Sequence, residues 1–156
     1  MSDSAGMDPQ ARAERSAAAM WATDDASKWM GFALDSVGPG VAVMSMTVER
    51  HHTNGHDICH GGVIFSLADS AFAFACNSYN RVTVAQMNSI SFIAPGLLGD
   101  RLTARAREVS LRGRSGLYDV TVTNGDGAVI AEFRGCSRTI KGQNFPEDGP
   151  EKEGAR

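Results

Sequence analysis

From Gly61 to Asn77 the chain reads GGVIFSLADSAFAFACN, and apolar residues occupy nearly the whole circumference of a helical wheel rather than one stripe. At 3.6 residues per turn this is a helix of between four and five turns, and a helix apolar all round belongs inside a fold. One residue breaks the pattern. Asp69 sits in the middle of the run, and burying an unpaired carboxylate is among the most costly things a small domain can do. Its neighbours three and four residues away are Phe65, Ser66, Phe72 and Ala73, so only Ser66 offers it a polar partner on the same helix. Asp69 is therefore salt-bridged from elsewhere, turned to water at a helix edge, or held as a perturbed acid or base.

The surrounding sequence has the period of strands. In VAVMSMTVE, residues 41–49, apolar and polar positions alternate, and residues 82–92, 100–111, 117–123 and 128–140 also read as strands. NGDG, residues 124–127, supplies a hairpin turn between the last two. Upstream, the Ala-rich stretch from about Pro9 to Met30 reads as one or two short helices. The order of strand, long helix and four closely connected strands predicts an α+β fold with the helix packed on one face of an antiparallel sheet. Residues 1–19 are expected to form a flexible N-terminal segment, residues 20–141 the folded domain, and residues 142–156, rich in Gly, Pro and charge, a disordered tail.

A chain of 156 residues supports one hydrophobic core. Its net charge of −3 and 21% charged residues carry no basic excess, which excludes the electrostatic footprint of a nucleic-acid partner. Cys59, Cys76 and Cys136 are odd in number and lack framework spacing, as suits a reducing, cytoplasmic location. No stretch reads as a signal-peptide core or a membrane span, so no membrane partner is expected.

The loop HHTNGHDICHGG leads into the long helix. The first N–H groups of a helix lack intrahelical partners and carry the positive end of its dipole, and the Gly61–Gly62 pair leaves them open to a ligand. An oxygen gaining negative charge, such as a thioester carbonyl under attack, suits those donors; a tight loop-to-helix joint is the other reading. His60 is placed to orient or cap the helix start. His51, His52, His56 and His60 fall within ten residues, but Gly55 and the glycine pair argue against a helical loop and there is no paired-Cys spacing, so no metal site is expected.

NGHDICHGG followed by FSLAD and AFAFACNS resembles the hotdog-fold acyl-CoA thioesterases, in particular the phenylacetate-degradation branch that hydrolyses phenylacetyl- and hydroxyphenylacetyl-CoA. The resemblance covers about residues 20–141. It implies a curved antiparallel sheet wrapped around one long helix. It also implies that the Gly61 N–H, assisted by His60, polarises the thioester carbonyl, that Asp69 activates water or attacks the carbonyl itself, and that Asn54 positions the water or the carboxylate. Family members often carry a small hydroxyl residue near the position of Ala85; with alanine there, Thr83, Gln86 or Asn88 is left to make that contact. Gly62, Phe65, Thr83 and Gln86 are expected against the substrate. The phosphates of coenzyme A need a local basic patch, for which Arg112, Arg114, Arg134 and Arg138 are candidates, although an ordinary solvated strand face accounts for arginines in this pattern equally well. No metal or prosthetic group is implied, with coenzyme A entering only as part of the substrate.

Helix geometry adds an assembly. Gly61 and Asp69 are eight residues apart, about 12 Å along one helix, so one carbonyl cannot touch both. Two copies with antiparallel central helices bring Gly61 of one to Asp69 of the other, which predicts a homodimer with shared sites, doubled in a dimer of dimers. Two other functions fit less of the pattern. A hotdog hydratase or dehydratase is expected to carry its catalytic His in a different loop, and a non-catalytic acyl-CoA-binding module has no use for Asp69.

Overall fold

A computed structural model describes residues 6–147. Helix α1 (Pro9–Ala22) starts with proline at a first-turn position, where its missing N–H costs nothing, and the Asp8 carboxylate caps it by accepting the Ala11 N–H at 3.0 Å. After α2 (Asp25–Trp29) come β1 (Ala33–Gly38) and β2 (Val41–Thr47), the central helix α3 (Gly61–Cys76), and strands β3 (Thr83–Phe92), β4 (Arg101–Arg112), β5 (Ser115–Thr123) and β6 (Val129–Thr139). The strands form one six-stranded antiparallel sheet in the order β1-β2-β4-β5-β6-β3. This is the α+β hotdog arrangement, the sheet curling around α3 so that Leu67, Ala68, Ala71, Phe72 and Ala75 are all fully covered.

The sheet's alternation aims Met44, Leu102, Ala104, Tyr118, Val120 and Val122 at that helix. Phe72 meets the rings of Tyr118 and Phe133 at 5.6 and 5.8 Å. On β6 the residue facing Phe72 is Gly135, where a Cβ would lie 2.9 Å from three Phe72 ring atoms. Glycine there lets the sheet close on the helix.

Three expectations from the sequence are corrected. Residues 33–38, ALDSVG, form a strand that sequence reading leaves as a connection, because only Leu34 and Val37 favour a strand locally. The turn through Gly40, at φ 71°, folds this segment back on β2, and α1 lies across it. The folded unit begins at Pro9 rather than residue 20: Ala13 and Ala17 are buried and the Ser16 hydroxyl donates to the Asn77 carbonyl at 2.7 Å. Residues 143–147 of the expected tail are docked. Phe145 is buried, Asn80 Oδ1 accepts the Asn144 and Phe145 N–H groups, Asn80 Nδ2 donates to the Phe145 carbonyl, and Arg12 pairs with Glu147 at 2.7 Å. Composition hides this docking because its partners lie more than sixty residues away in sequence. The remaining terminal residues, 1–5 and 148–156, lie outside the described residues. Among the described residues no helix is long and apolar enough to cross a membrane.

Candidate active site

The loop before α3 is tight and non-helical. The Asn54 N–H donates to the Ile58 carbonyl at 2.9 Å, the Asn54 Oδ1 accepts the His56 N–H at 2.9 Å, and Asp57 adopts φ 59°. The loop delivers His60 as the N-cap of α3, where its Nδ1 accepts the Gly62 N–H at 2.8 Å. Gly62, expected against the substrate, is therefore engaged by His60. The Gly61 N–H, first in the helix, has no hydrogen-bond partner among the described residues. Asn54 and Gly61 open into a cleft of about 520 Å³ lined also by Phe92, Ile93 and Pro95. A Cβ on Gly61 would meet the tip of the Phe92 ring at 3.0 Å.

The four histidines go separate ways. His52 is buried as a structural pin, its Nδ1 accepting the Glu49 N–H at 2.9 Å and its Nε2 donating to the Met30 carbonyl at 2.8 Å. The His51 ring lies against it at 4.0 Å, tilted by 46°, His56 faces solvent and His60 caps the helix.

Two turns further along α3, Asp69 occupies a second cleft, of about 390 Å³, with Phe65, Ser66 and Ser70 of the same helix and Ser27, Met30 and Phe32 from the segment around α2. Burial pushes its carboxyl above the ordinary value of 3.8, and a hydrogen bond from Asn88 pulls it part of the way back. Asn88 Nδ2 donates to Asp69 Oδ1 at 2.6 Å. Ser66, the only polar partner on Asp69's own helix, instead donates to the Gly62 carbonyl at 2.8 Å.

Asn88 reaches Asp69 because β3 carries a bulge. Ala85 pairs with Ser137 and Met87 with Cys136, leaving Gln86 as an extra residue, after which Asn88 pairs with Gly135 on the helix side. Strict two-residue alternation from Thr83 would send positions 87 and 89 inward, so the sequence gives no clear signal for Asn88. The bulge displaces Gln86 to a shallow surface cleft beside Arg112 and Ser115.

Thr83 lies apart from both clefts: its hydroxyl donates to the Arg81 carbonyl at 2.8 Å and meets Thr139 Oγ1 at 3.1 Å, near the opposite end of α3 from Gly61. Phe65 lines the Asp69 cleft and packs edge-on against Phe133 at 5.6 Å. Arg134 is engaged within the sheet. It grips Asp119 at 2.7 and 2.9 Å, with Arg107 at 3.3 Å on the same carboxylate, forming a cross-strand ion cluster on the solvent face. Arg134 holds the Asp119 carboxyl below the usual carboxylate range. Register sets Arg112, Ser115 and Arg138 side by side across three strands, and Arg114 lies in the β4–β5 hairpin next to them. Arg112 and Arg114 make no ion pair among the described residues.

A helix N-terminus with a free donor, a half-buried carboxylate two turns on, and a sheet curled around both define a hotdog enzyme of the thioester-hydrolysing kind. The chain belongs to the thioesterase superfamily, whose family profile matches residues 56–131. It is 43% identical over 131 residues to the acyl-coenzyme A thioesterase PaaI of Escherichia coli K12, spanning 84% of this chain and 94% of that protein. The solved structure of the E. coli PaaI protein from the phenylacetic acid degradation operon superposes with a TM-score of 0.86 at 41% identity, covering 87% of this chain and 99% of the other. A Streptococcus mutans UA159 protein solved with bound acetyl CoA matches with a TM-score of 0.69 at 27% identity, covering 72% of this chain and 90% of the other.

Proposed function

We propose that the protein hydrolyses phenylacetyl-, hydroxyphenylacetyl- or related aryl and medium-chain acyl-CoA thioesters to the free acid and coenzyme A, in active sites shared between two copies of the chain. The observation that carries this reading is the separation of Gly61 and Asp69 into two clefts of one protomer. A donor must lie about 3 Å from the carbonyl oxygen and a base one water from the carbonyl carbon, which about 12 Å of helix forbids within one chain. A two-fold axis removes the conflict. Strand β3 supports one: among the described residues it pairs only with β6, which leaves its other edge open, and Val84, Met87 and Phe92 are exposed along it. Pairing two β3 edges continues the sheet and covers those side chains; a dimer of dimers repeats the site pair.

In this reading a water donates its proton to Asp69 as its oxygen attacks the carbonyl carbon, and the Gly61 N–H of the facing copy receives the oxyanion. The tetrahedral intermediate collapses with cleavage of the C–S bond, and the proton held by Asp69 passes to the leaving thiolate. His60 fixes the first turn that presents Gly61, and Asn54 borders the same cleft with its side-chain NH2 free of partners among the described residues. Arg112, Arg114 and Arg138 are the arginines proposed for the coenzyme A phosphates. The chemistry calls on no metal or prosthetic group, and a cytoplasmic location suits its substrate.

The test is thiol release from phenylacetyl-CoA followed with a thiol-trapping dye, alongside double-bond absorbance on a crotonyl-type CoA. Thiol release that falls by at least ~10²-fold in kcat for folded Asp69→Asn is the expected result. Wild-type turnover in that variant would reduce Asp69 to a structural role, and hydration without thiol release would make the protein a hydratase.

A further inference from the structure

We infer that Asn88 is the positioning residue of the catalytic carboxylate, fixing Asp69 in its ionised, base-competent form; the inference rests on the thioesterase reading above. Asn88 is the sole hydrogen-bond partner of the Asp69 side chain among the described residues, at 2.6 Å, and it arrives from a different element, across the gap between β3 and α3. The bond fixes which face of the carboxylate is free. With Oδ1 taken by Asn88, Oδ2 is left for a water.

The other end of the same amide is anomalous. Asn88 Oδ1 is the one buried side-chain oxygen or nitrogen among the described residues that has no hydrogen-bond partner. Orphaned acceptors of this kind are rare because burial without a partner is unfavourable. Turning the amide over would set its oxygen against the carboxylate oxygen of Asp69, so the carboxylate dictates the orientation and the orphan is its consequence. A residue chosen for packing alone at this site would be apolar, as its strand neighbour Ile90 is. The fold also goes out of its way to bring Asn88 inward, through the bulge at Gln86. Asn88 thus trades stability for the state of Asp69.

Few other groups compete for that control. From α2 the titratable group in the cleft is Asp24, whose carboxylate is tied down by the Ser27 N–H and hydroxyl at 3.1 and 2.7 Å. On α3 itself the Cys76 thiol, pushed up to about 12 mainly by burial, is uncharged at neutral pH. The segment before β1 contributes Met30 and Phe32, and β6 contributes Phe133 behind Phe65. No Lys or Arg lines the cleft, leaving an uncharged amide to oppose the burial that raises the Asp69 carboxyl. In the shared-site dimer, His60 of the second copy is the remaining titratable group.

The experiment measures kcat, KM, the pH profile of kcat/KM and the melting temperature of full-length Asn88→Leu and Asn88→Ser, with Asp69→Asn and His60→Gln in parallel. Phenylacetyl-CoA and a thiol-trapping dye give the rates. Loss of the donor in Asn88→Leu is expected to lower kcat by about 10- to 100-fold with KM within about threefold and to move the acid limb of kcat/KM up by about one pH unit, with Asn88→Ser, which keeps a shorter hydroxyl donor, falling between Leu and wild type. The melting temperature is expected to stay level or rise, since the orphaned oxygen goes with the side chain. An acid limb that moves in His60→Gln and not in the Asn88 variants overturns the assignment. So do unchanged kcat and pH profile, or a fall in melting temperature with the acid limb in place, which would make Asn88 structural; failure of both variants to fold has the same meaning. Wild-type turnover in Asp69→Asn overturns the thioesterase reading itself, whereas a dead Asp69→Asn beside unaffected Asn88 variants overturns only the role of Asn88.

Discussion

If each active site takes its oxyanion donor from one chain and its carboxylate from another, two dead proteins restore activity when mixed. The two variants are Asp69→Asn and Gly61→Pro. Proline removes the one N–H that faces the cleft, and the backbone is already suited to it. Gly61 is the first residue of α3, where proline is favoured, and the preceding His60 has φ −60° and ψ 133°, the extended conformation that a following proline requires. The added ring atoms press on the tip of the Phe92 ring, which is 54% exposed in the single chain, so the fold and pairing of Gly61→Pro are checked on that variant alone. After co-refolding in equal amounts, random pairing makes about half of the dimers mixed. Each mixed dimer has one site with both groups intact and one with both lost, so about a quarter of wild-type thiol release returns. Sites built within single chains stay dead in every combination. The assay is dye-detected thiol release from dimers verified as mixed by differential tags, with circular dichroism of Gly61→Pro alone as the fold control. Less than about one part in a hundred of wild-type activity from verified mixed dimers would refute the shared site.

Asp69 also sets a pH dependence of stability. Its folded carboxyl titrates above the ordinary 3.8, so the folded chain binds that proton more readily than the unfolded chain. The ionised group therefore destabilises the fold at neutral pH, and stability recovers as pH falls through the folded value towards the unfolded one. Asp69→Asn should melt higher than wild type at pH 7, with the difference closing at about pH 4; a lower melting temperature at pH 7 would contradict the desolvation of this half-buried carboxylate. Gly135→Ala forces a methyl to 2.9 Å from three atoms of the fully buried Phe72 ring, which is wedged between Tyr118 and Phe133. The expected cost is about 1–3 kcal/mol, a fall of roughly 2–10 °C in melting temperature, and an unchanged melt would show that the sheet has room to move. Phe145→Ala should cost about 3 kcal/mol in denaturant unfolding, because the ring is buried under Arg15, whose guanidinium lies 4.3 Å from its centroid; no loss would mean that the segment is undocked in solution.

The sequence by itself carried the central helix, the four strands that follow it, and the residues that single out the two ends of the candidate site. These are local signals. A run apolar at every helical phase, a glycine pair after a capping histidine, and a carboxylate with only Ser66 to bond it can all be read within twenty-five residues. The tertiary structure decided what depends on distant partners. ALDSVG became a strand because β2 and α1 hold it, and residues 143–147 docked because Asn80 satisfies their backbone. Arg134 was indistinguishable in sequence from Arg112 and Arg114 until strand register set it beside Asp119. Asn88 was one of three polar candidates on β3, and a one-residue bulge selected it by reversing which face of the strand points inward. Side-chain direction in a strand has a period of two, so a single extra residue changes every assignment after it, and where that residue falls is fixed by pairing with β6 rather than by anything written in β3.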